Sequence, residues 1–275
     1  MKKIIQKLSV LACVIFISMP HSSIAAPLNG KVLLAKGVVS ATDEGGASRL
    51  LAKGQIVAKG DKVTTAQKSF VVIKMEDNTK ITLRPESSVV IGEFDDEKGK
   101  EKAHLKLLKG GLRTVTGLIG KTNPDAVKLS TSVATIGIRG TDYIARLCGG
   151  DCLREERSFT DIDYIDVDSP TLGSEINETL PFGLYFLVKE GRIYVQQCPD
   201  GTEADDVASC PQVELSTNQS GYAGAEKLGI TPRVPLFLEN DPHVKFSDIP
   251  DESLDALDVL QDEQSDALQC EISDV

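Results

Sequence analysis

The chain has 275 residues, a net charge of −11 and only 5% aromatic residues, with no tryptophan. An acidic chain without a basic patch lacks the charge that holds phosphates, which excludes nucleic acid as a partner. So few rings also argue against a stacking platform for sugars, and any core must be filled by Val, Ile and Leu.

The first 26 residues are typical of a secretory signal. Lys2, Lys3 and Lys7 precede an apolar run from Leu8 to Met19, and small residues before position 27 offer a cleavage site. The run is shorter than the ~20 residues of a membrane-spanning helix. Because the apolar run continues past Cys13, we expect cleavage without a lipid anchor. The sequence therefore predicts a periplasmic protein with no transmembrane segment in its mature chain.

Residues 27–225 have the pattern of a β domain. Alternating or β-branched runs recur about every 8–12 residues with turn residues between them, which argues against βαβ units. Leu33–Gly37 recurs at residues 50–54 and, as a variant, at 56–60, so several strands should end in glycine turns. We therefore predict an all-β fold, a solenoid-like or roll-like antiparallel β domain, with a flat jelly-roll sandwich as the alternative. The predicted strands are Lys31–Leu34, Phe70–Met75, Lys80–Leu83, Val89–Phe94, Leu105–Leu108, Val127–Thr131, Tyr143–Arg146, Leu184–Lys189 and Arg192–Gln196.

The most distinctive stretch is residues 134–145, where two glycines bracket one arginine between β-type runs. Gly137 and Gly140 permit a sharp bend or a close approach of two backbones. Arg139 lies beside isoleucines that should face the core, so we expect its guanidinium to turn inward and bond to carbonyls or a carboxylate. We interpret Gly137, Arg139, Gly140 and Thr141 together as a structural motif.

The sequence around this motif resembles that of the FecR-domain family, named after the regulator of ferric citrate uptake, over about residues 55–195. In signalling members this domain lies outside the inner membrane and is linked through one transmembrane helix to a cytoplasmic segment that controls a sigma factor. No such helix is expected here, so the resemblance implies the domain together with a separate membrane partner. The matching motifs are G-D-x-V-x-T at Gly60–Thr65, D-N-T at Asp77–Thr79, L-x-P-x-S at Leu83–Ser87, Gly110–Arg113, the R-G-T core, and a closing strand at Val188–Val195.

About forty residues, 146–185, separate two strands that the family usually joins by a short turn. This insertion is acidic, and alternating carboxylates on a predicted edge strand make a candidate Ca²⁺ site. A solvated strand kept soluble by its charge is the alternative. The candidate ligands are Asp161, Asp163, Asp166 and Asp168.

Five cysteines remain once the signal is removed, and an oxidising compartment favours disulfides. Proximity predicts the pairs Cys148–Cys152 and Cys198–Cys210, with Cys270 free or intermolecular. The alternative, a thiolate metal or redox site at 148–152, has no nearby histidine to complete a ligand set.

Residues 226–275 form an acidic, largely irregular tail. From Glu239 to the end, twelve acidic residues are accompanied by one lysine, Lys245. Apolar residues between the acids suggest a short amphipathic helix, with disorder as the alternative. We expect the β domain to remain folded when residues 245–275 are deleted. If the tail is ordered, its apolar stripe should dock on the β domain or on a partner.

No motif in the sequence predicts catalysis, a cofactor or a phosphate loop, and His104 and His243 lack the context of a catalytic histidine. The prediction is a non-catalytic periplasmic FecR-domain protein that binds an envelope or membrane protein, or a ligand, in envelope sensing. A structural or adhesive envelope component and a glycan-binding module are the alternatives. The sequence does not predict which residues bind the partner.

Overall fold

The computed structural model describes residues 30–95, 101–163, 181–198, 209–225 and 227–254. Within these ranges fifteen strands form one sheet, which confirms the all-β prediction, and no helix is long and apolar enough to cross a bilayer. The strands are β1 (Gly30–Lys36), β2 (Val39–Thr42), β3 (Ser48–Leu50), β4 (Ile56–Val57), β5 (Lys62–Thr65), β6 (Phe70–Met75), β7 (Lys80–Leu83), β8 (Ser88–Asp95), β9 (Lys102–Val115), β10 (Val127–Ser130), β11 (Thr135–Cys148), β12 (Gly183–Gln196), β13 (Gln212–Ser216), β14 (Ser220–Gly224) and β15 (Leu228–Ile230). The helices are α1 (Leu118–Thr122), α2 (Gly150–Asp163) and α3 (Leu236–Glu239), with 3-10 turns η1 (Pro124–Ala126) and η2 (Val244–Asp248).

Long strands that change their pairing partners halfway along their length give the sheet its rolled shape. β9 pairs with β8 and β10 along its first half and with β7 and β11 along its second half. β11 changes from β10 to β9 on one side and pairs with β12 on the other. The changes fall near Gly110 and Gly140, at φ of +73° and +58°, values that glycine adopts without steric cost. The roll is antiparallel, as predicted, except for the parallel β9–β10 pair.

One aliphatic interior runs through the whole roll. It joins residues of the early strands, such as Val39 and Val63, to those of the late strands, such as Leu184 and Ile193. Val, Ile and Leu dominate it, as the low aromatic content predicts. The repeated runs end in turns at Gly37, Gly54 and Gly60, all at positive φ, and their residues Leu51 and Val57 join the interior.

Several strands are buried on both faces, although only one face lines the roll. In β12, Leu184 and Phe186 point inward, whereas Tyr185 and Leu187 point outward and are still only 3% and 7% exposed. The outward side chains are covered by residues 234–254, which we name the strap. The sheet itself extends past the predicted boundary at residue 225, because β15 pairs with β14.

Candidate functional site: a cationic face and its strap

The arginine of the signature motif is exposed. The Arg139 side chain is 57% exposed, lies 3.4 Å from the Asp125 carboxylate and stacks 5.9 Å from the centre of the Tyr194 ring. The prediction that it turns inward is wrong, because Ile136 and Ile138 face the interior and strand alternation places the next residue outside.

The rest of the signature packs tightly into the bend. A side chain at Gly191 would meet the carbonyl of Gly140 at 2.6 Å, so the β11 and β12 backbones need glycine to approach so closely. Thr141 donates from its hydroxyl to the Arg192 carbonyl at 2.9 Å, and its N–H donates to the Thr116 hydroxyl at 2.7 Å. These contacts fix the bend where β11 and β12 meet, whereas Arg139 lines an open pocket on the surface together with Arg192 and Tyr194.

The other family-like motifs also supply buried turn contacts, which we name the turn network. The Asp77 carboxylate accepts from the N–H and hydroxyl of Thr79, at 2.9 and 2.8 Å, and that hydroxyl accepts from the N–H of Gly117 at 2.9 Å. The Ser87 hydroxyl accepts from the N–H of Gly111 at 2.9 Å. Buried backbone donors are costly when unpaired, so these side chains hold the turns of the roll.

A row of cations crosses the outer face of the roll. Neighbouring strands β6, β7, β9 and β11 place them side by side, and we name them the cationic face. Two of the arginines are only 2% exposed, which a guanidinium tolerates when its donors find acceptors. The members are Lys74, Lys80, Arg84, Arg113 and Arg146.

Arg113 joins the strap to the sheet at the centre of this face. It donates to Asp142 at 2.8 and 2.6 Å, to Asp248 at 2.5 Å and to the Val244 carbonyl at 2.9 Å. Burial opposes its charge, but the hydrogen bonds with the two carboxylates outweigh that effect and raise the pKa of Arg113. Both strap acceptors come from η2, so this turn is fixed by a sheet arginine.

The strap carboxylate Asp241 is buried against Arg84. It accepts from the Arg84 Nε at 2.6 Å and from the N–H of His243 at 2.9 Å. Burial would raise the pKa of Asp241, but hydrogen bonds from His243 and Arg84 prevail and lower it to about 2. This carboxylate therefore stays charged down to strongly acidic pH.

The two lysines of the face bind the last turn of the strap. Asp251 lies 2.7 Å from Lys74 and 2.8 Å from Lys80. Burial opposes ionisation, yet the hydrogen bonds from both ammonium groups lower the pKa of Asp251. Nearby, the hydroxyls of Thr82 and Ser247 are 2.7 Å apart. Three of the five strap carboxylates, Asp241, Asp248 and Asp251, thus pair with cations of the sheet.

Apolar anchors accompany these ion pairs. Phe246 stacks on Phe70 with ring centroids 4.4 Å apart, and Leu254 is fully buried beside it. At the other end of the strap, Phe237 packs edge-on against Tyr185 at 5.4 Å. The strap therefore combines acidic and apolar side chains. The cationic face pairs with its acids, and Phe70 and Tyr185 of the sheet pack against its apolar residues.

Arg146 connects the face to the insertion. It donates to Glu155 of α2 at 2.6 Å and lies 5.1 Å from the centre of the Phe237 ring. The carboxylate of Glu156, also on α2, accepts from the Phe237 N–H at 3.1 Å. Arg146 therefore contacts both helix α2 of the insertion and the beginning of the strap.

Both predicted cysteine pairs lie at disulfide distance. The sulfur atoms of Cys148 and Cys152 are 2.10 Å apart, and those of Cys198 and Cys210 are 2.11 Å apart. The first pair joins the end of β11 to α2. Cys270 lies outside the described residues.

The predicted Ca²⁺ site receives no support from the described part of the insertion. Asp161 and Asp163 belong to the end of helix α2, so the predicted edge strand is wrong for them, while Asp166 and Asp168 lie outside the described residues. Among the residues that the structure describes, no group of three or more His, Cys, Asp or Glu could hold a metal ion.

A protein-family match supports the sequence resemblance. Residues 61–155, about a third of the chain, match the FecR protein family, which confirms the FecR resemblance over that range. No curated protein matches the chain. Two crystal structures of a candidate anti-sigma factor from Parabacteroides distasonis are similar at 8% identity, with TM-scores of 0.41 and 0.40. Each alignment covers 65% of this chain, and the chain spans 62% of that protein.

The sequence reasoning missed the cationic face. Arg84 and Arg113 entered only as letters of family motifs, and the strap acids were assigned to an irregular tail. One local signal was available: the unbroken apolar runs Phe70–Ile73 and Leu184–Val188 are typical of strands covered on both faces. Such runs predict that another segment covers the outer face of the sheet, but they do not identify that segment.

Proposed function

We propose that this protein is a non-catalytic FecR-domain protein of the periplasm that binds a membrane or envelope protein in envelope signalling. The observation that carries the proposal is the cationic face, which already holds an extended acidic and apolar segment of the same chain. A surface that pairs carboxylates with fixed arginines and seats aromatic anchors has the properties of a peptide-binding surface. The FecR match over residues 61–155 supports the family context.

Two further observations support export. Both cysteine pairs are placed for disulfides, which persist in oxidising compartments such as the periplasm. The N-terminal 26 residues have the composition of a secretory signal. Non-reducing peptide mapping of periplasmic material should therefore find the pairs Cys148–Cys152 and Cys198–Cys210. A linkage between Cys152 and Cys198, or four modifiable thiols, would argue against this account.

The test of partner binding uses the full chain in its native host, with a C-terminal tag and a photoreactive residue at an exposed position. Leu118, which is 57% exposed, is suitable because it lies away from the strap contacts described above. We expect cross-linking to an integral membrane protein in the exported chain, followed by direct binding of the purified partner domain. Retention of the chain in the cytoplasm would overturn the proposal, and so would cross-links confined to envelope polymers, which would favour the structural alternative.

A further inference from the structure

An open pocket of about 440 Å³ lies at one end of the cationic face, and we name it the end pocket. Arg84 and Arg146 line it together with the beginning of α2, so it continues the face beyond the strap. None of the described strap residues lines it. The strap runs away from this end, from Phe237 beside Arg146 to Leu254 beside Phe70.

The end pocket contains cations that have no carboxylate partner in the described structure. Asp151 and Glu155 line the pocket and bind Arg146, and Glu155 also binds Arg84. Lys109, Arg154 and Glu86 also line it, and none of these three forms an ion pair with any residue that the structure describes. The four lining cations therefore outnumber the three lining carboxylates, and this local excess of positive charge attracts anionic groups.

The rim of the pocket is apolar and exposed. Phe182 is 66% exposed and Leu108 is 43% exposed, whereas Leu147, deeper in the wall, is 8% exposed. Sites for small ligands enclose most of the ligand surface, typically about 70–90%. Side chains as open as these suit an occupant that extends over the rim, as a peptide does.

We propose that the end pocket binds an acidic peptide segment of the envelope partner, a proposal that rests on the function proposed above. Its carboxylates pair with Lys109 and Arg154, and an apolar side chain covers Leu108 and Phe182. The strap provides the precedent, because Phe237 packs on Arg146 while Asp241, four residues later, pairs with Arg84. The partner therefore presents an aromatic or aliphatic residue about one helical turn from a carboxylate.

The test uses the isotope-labelled full-length mature chain and the hexapeptide acetyl-Leu-Phe-Leu-Glu-Asn-Asp-amide, which copies residues 236–241. Backbone NMR titration should shift the amide signals of Lys109, Gly149 and Arg154. A neutral peptide with Gln and Asn in place of the acids should bind at least ~10-fold more weakly, because its carboxylates are gone. Raising the salt concentration should weaken only the acidic peptide.

A charge-reversal pair supplies the matched control. Lys109→Glu with Arg154→Glu should weaken the acidic peptide at least ~10-fold, without lowering the melting temperature. Lys62→Glu with Lys106→Glu changes the net charge equally on exposed lysines outside the pocket and should leave binding unchanged. Equal loss in both double variants would mean a general charge effect and would overturn the site.

Other outcomes would also overturn the proposal. Shifts that map away from the end pocket would place the peptide elsewhere, and binding of decanoate but not of the peptide would indicate a site for small amphiphilic anions. If peptide binding fails while the membrane partner is still captured in the envelope, the pocket assignment is wrong and the proposed function stands. If the peptide binds but no partner is found, the site stands and the signalling function fails.

Discussion

The turn network and the cationic face stabilise the same sheet in different ways. In the turn network, short side chains such as Asp77 and Ser87 bond to backbone groups nearby in the roll, and their environment is closed. On the cationic face, Arg84 and Arg113 bind carboxylates more than 130 residues away in sequence. Family-like motifs are therefore structural at the turns, whereas arginines of the same motifs pair with distant carboxylates on the outer face.

Removing the end of the strap should have the largest effect on this comparison. The sequence led us to expect that the β domain survives deletion of residues 245–275, but residues 246–254 contribute Phe246, Leu254 and two paired aspartates to the face. Burial of Leu254 alone contributes about 1.5–3 kcal/mol, and the partly buried Phe246 adds to it. We expect this deletion to lower the free energy of unfolding by at least about 5 kcal/mol in urea titrations.

The control is a chain that ends at Leu254, since the described contacts of the strap end there. It should unfold at nearly the same urea concentration as the full chain. Equal stability of both truncated chains and the full chain would mean that the strap adds nothing to the fold.

Arg113→Ala should have the next largest effect. It leaves the carboxylate of Asp142 and the carbonyl of Val244 without their donor in a buried setting. Breaking a buried pair from one side typically costs about 3–5 kcal/mol. Thermal and urea unfolding measure the loss, and Arg139→Ala is the control, expected within about 0.5 kcal/mol because its side chain is exposed. Similar losses at both positions would contradict the account.

Asp77→Ala tests the turn network. It removes the acceptor for the N–H and hydroxyl of Thr79, which are buried, and unpaired buried groups cost about 1–3 kcal/mol. Unlike Arg113→Ala, it should leave the strap bound, as measured by hydrogen exchange at Phe237 and Leu238. Release of the strap in this variant would mean that the two regions are not separate.

The pH dependence of the free energy of unfolding should reveal the buried ion pair between Asp241 and Arg84. Its pKa is about 2 in the folded protein against an ordinary value of 3.8, so its contribution is present above about pH 4 and is lost as pH falls towards 2. The difference corresponds to about 2 kcal/mol. Asp241→Asn should therefore narrow the stability gap between pH 5 and pH 2 by that amount, while Asp125→Asn on the surface should not. An unchanged gap in Asp241→Asn would refute this pairing.

The sequence predicted the local part of this structure and missed the long-range part. Runs of apolar and β-branched residues located strands such as β6 and β12, and glycines located turns, because both signals depend on neighbouring residues. Short strands such as β4 and β15 carry too few residues for a period to show. For Arg139, strand alternation alone would have given the correct exposed placement. The strap could not be placed, because its contacts join residues such as Lys74 and Asp251 that are far apart in the chain.

The central claim is that the cationic face binds an acidic, apolar segment through charge and anchors together. A protease site inserted between Pro232 and Arg233, both exposed, allows the strap to be cut free after the chain has folded. The account predicts that the cut strap stays bound at low salt, measured by size exclusion with mass spectrometry, and leaves at least ~10-fold faster in Arg113→Ala or at high salt. Immediate release from an intact roll, or retention that is indifferent to both changes, would contradict it.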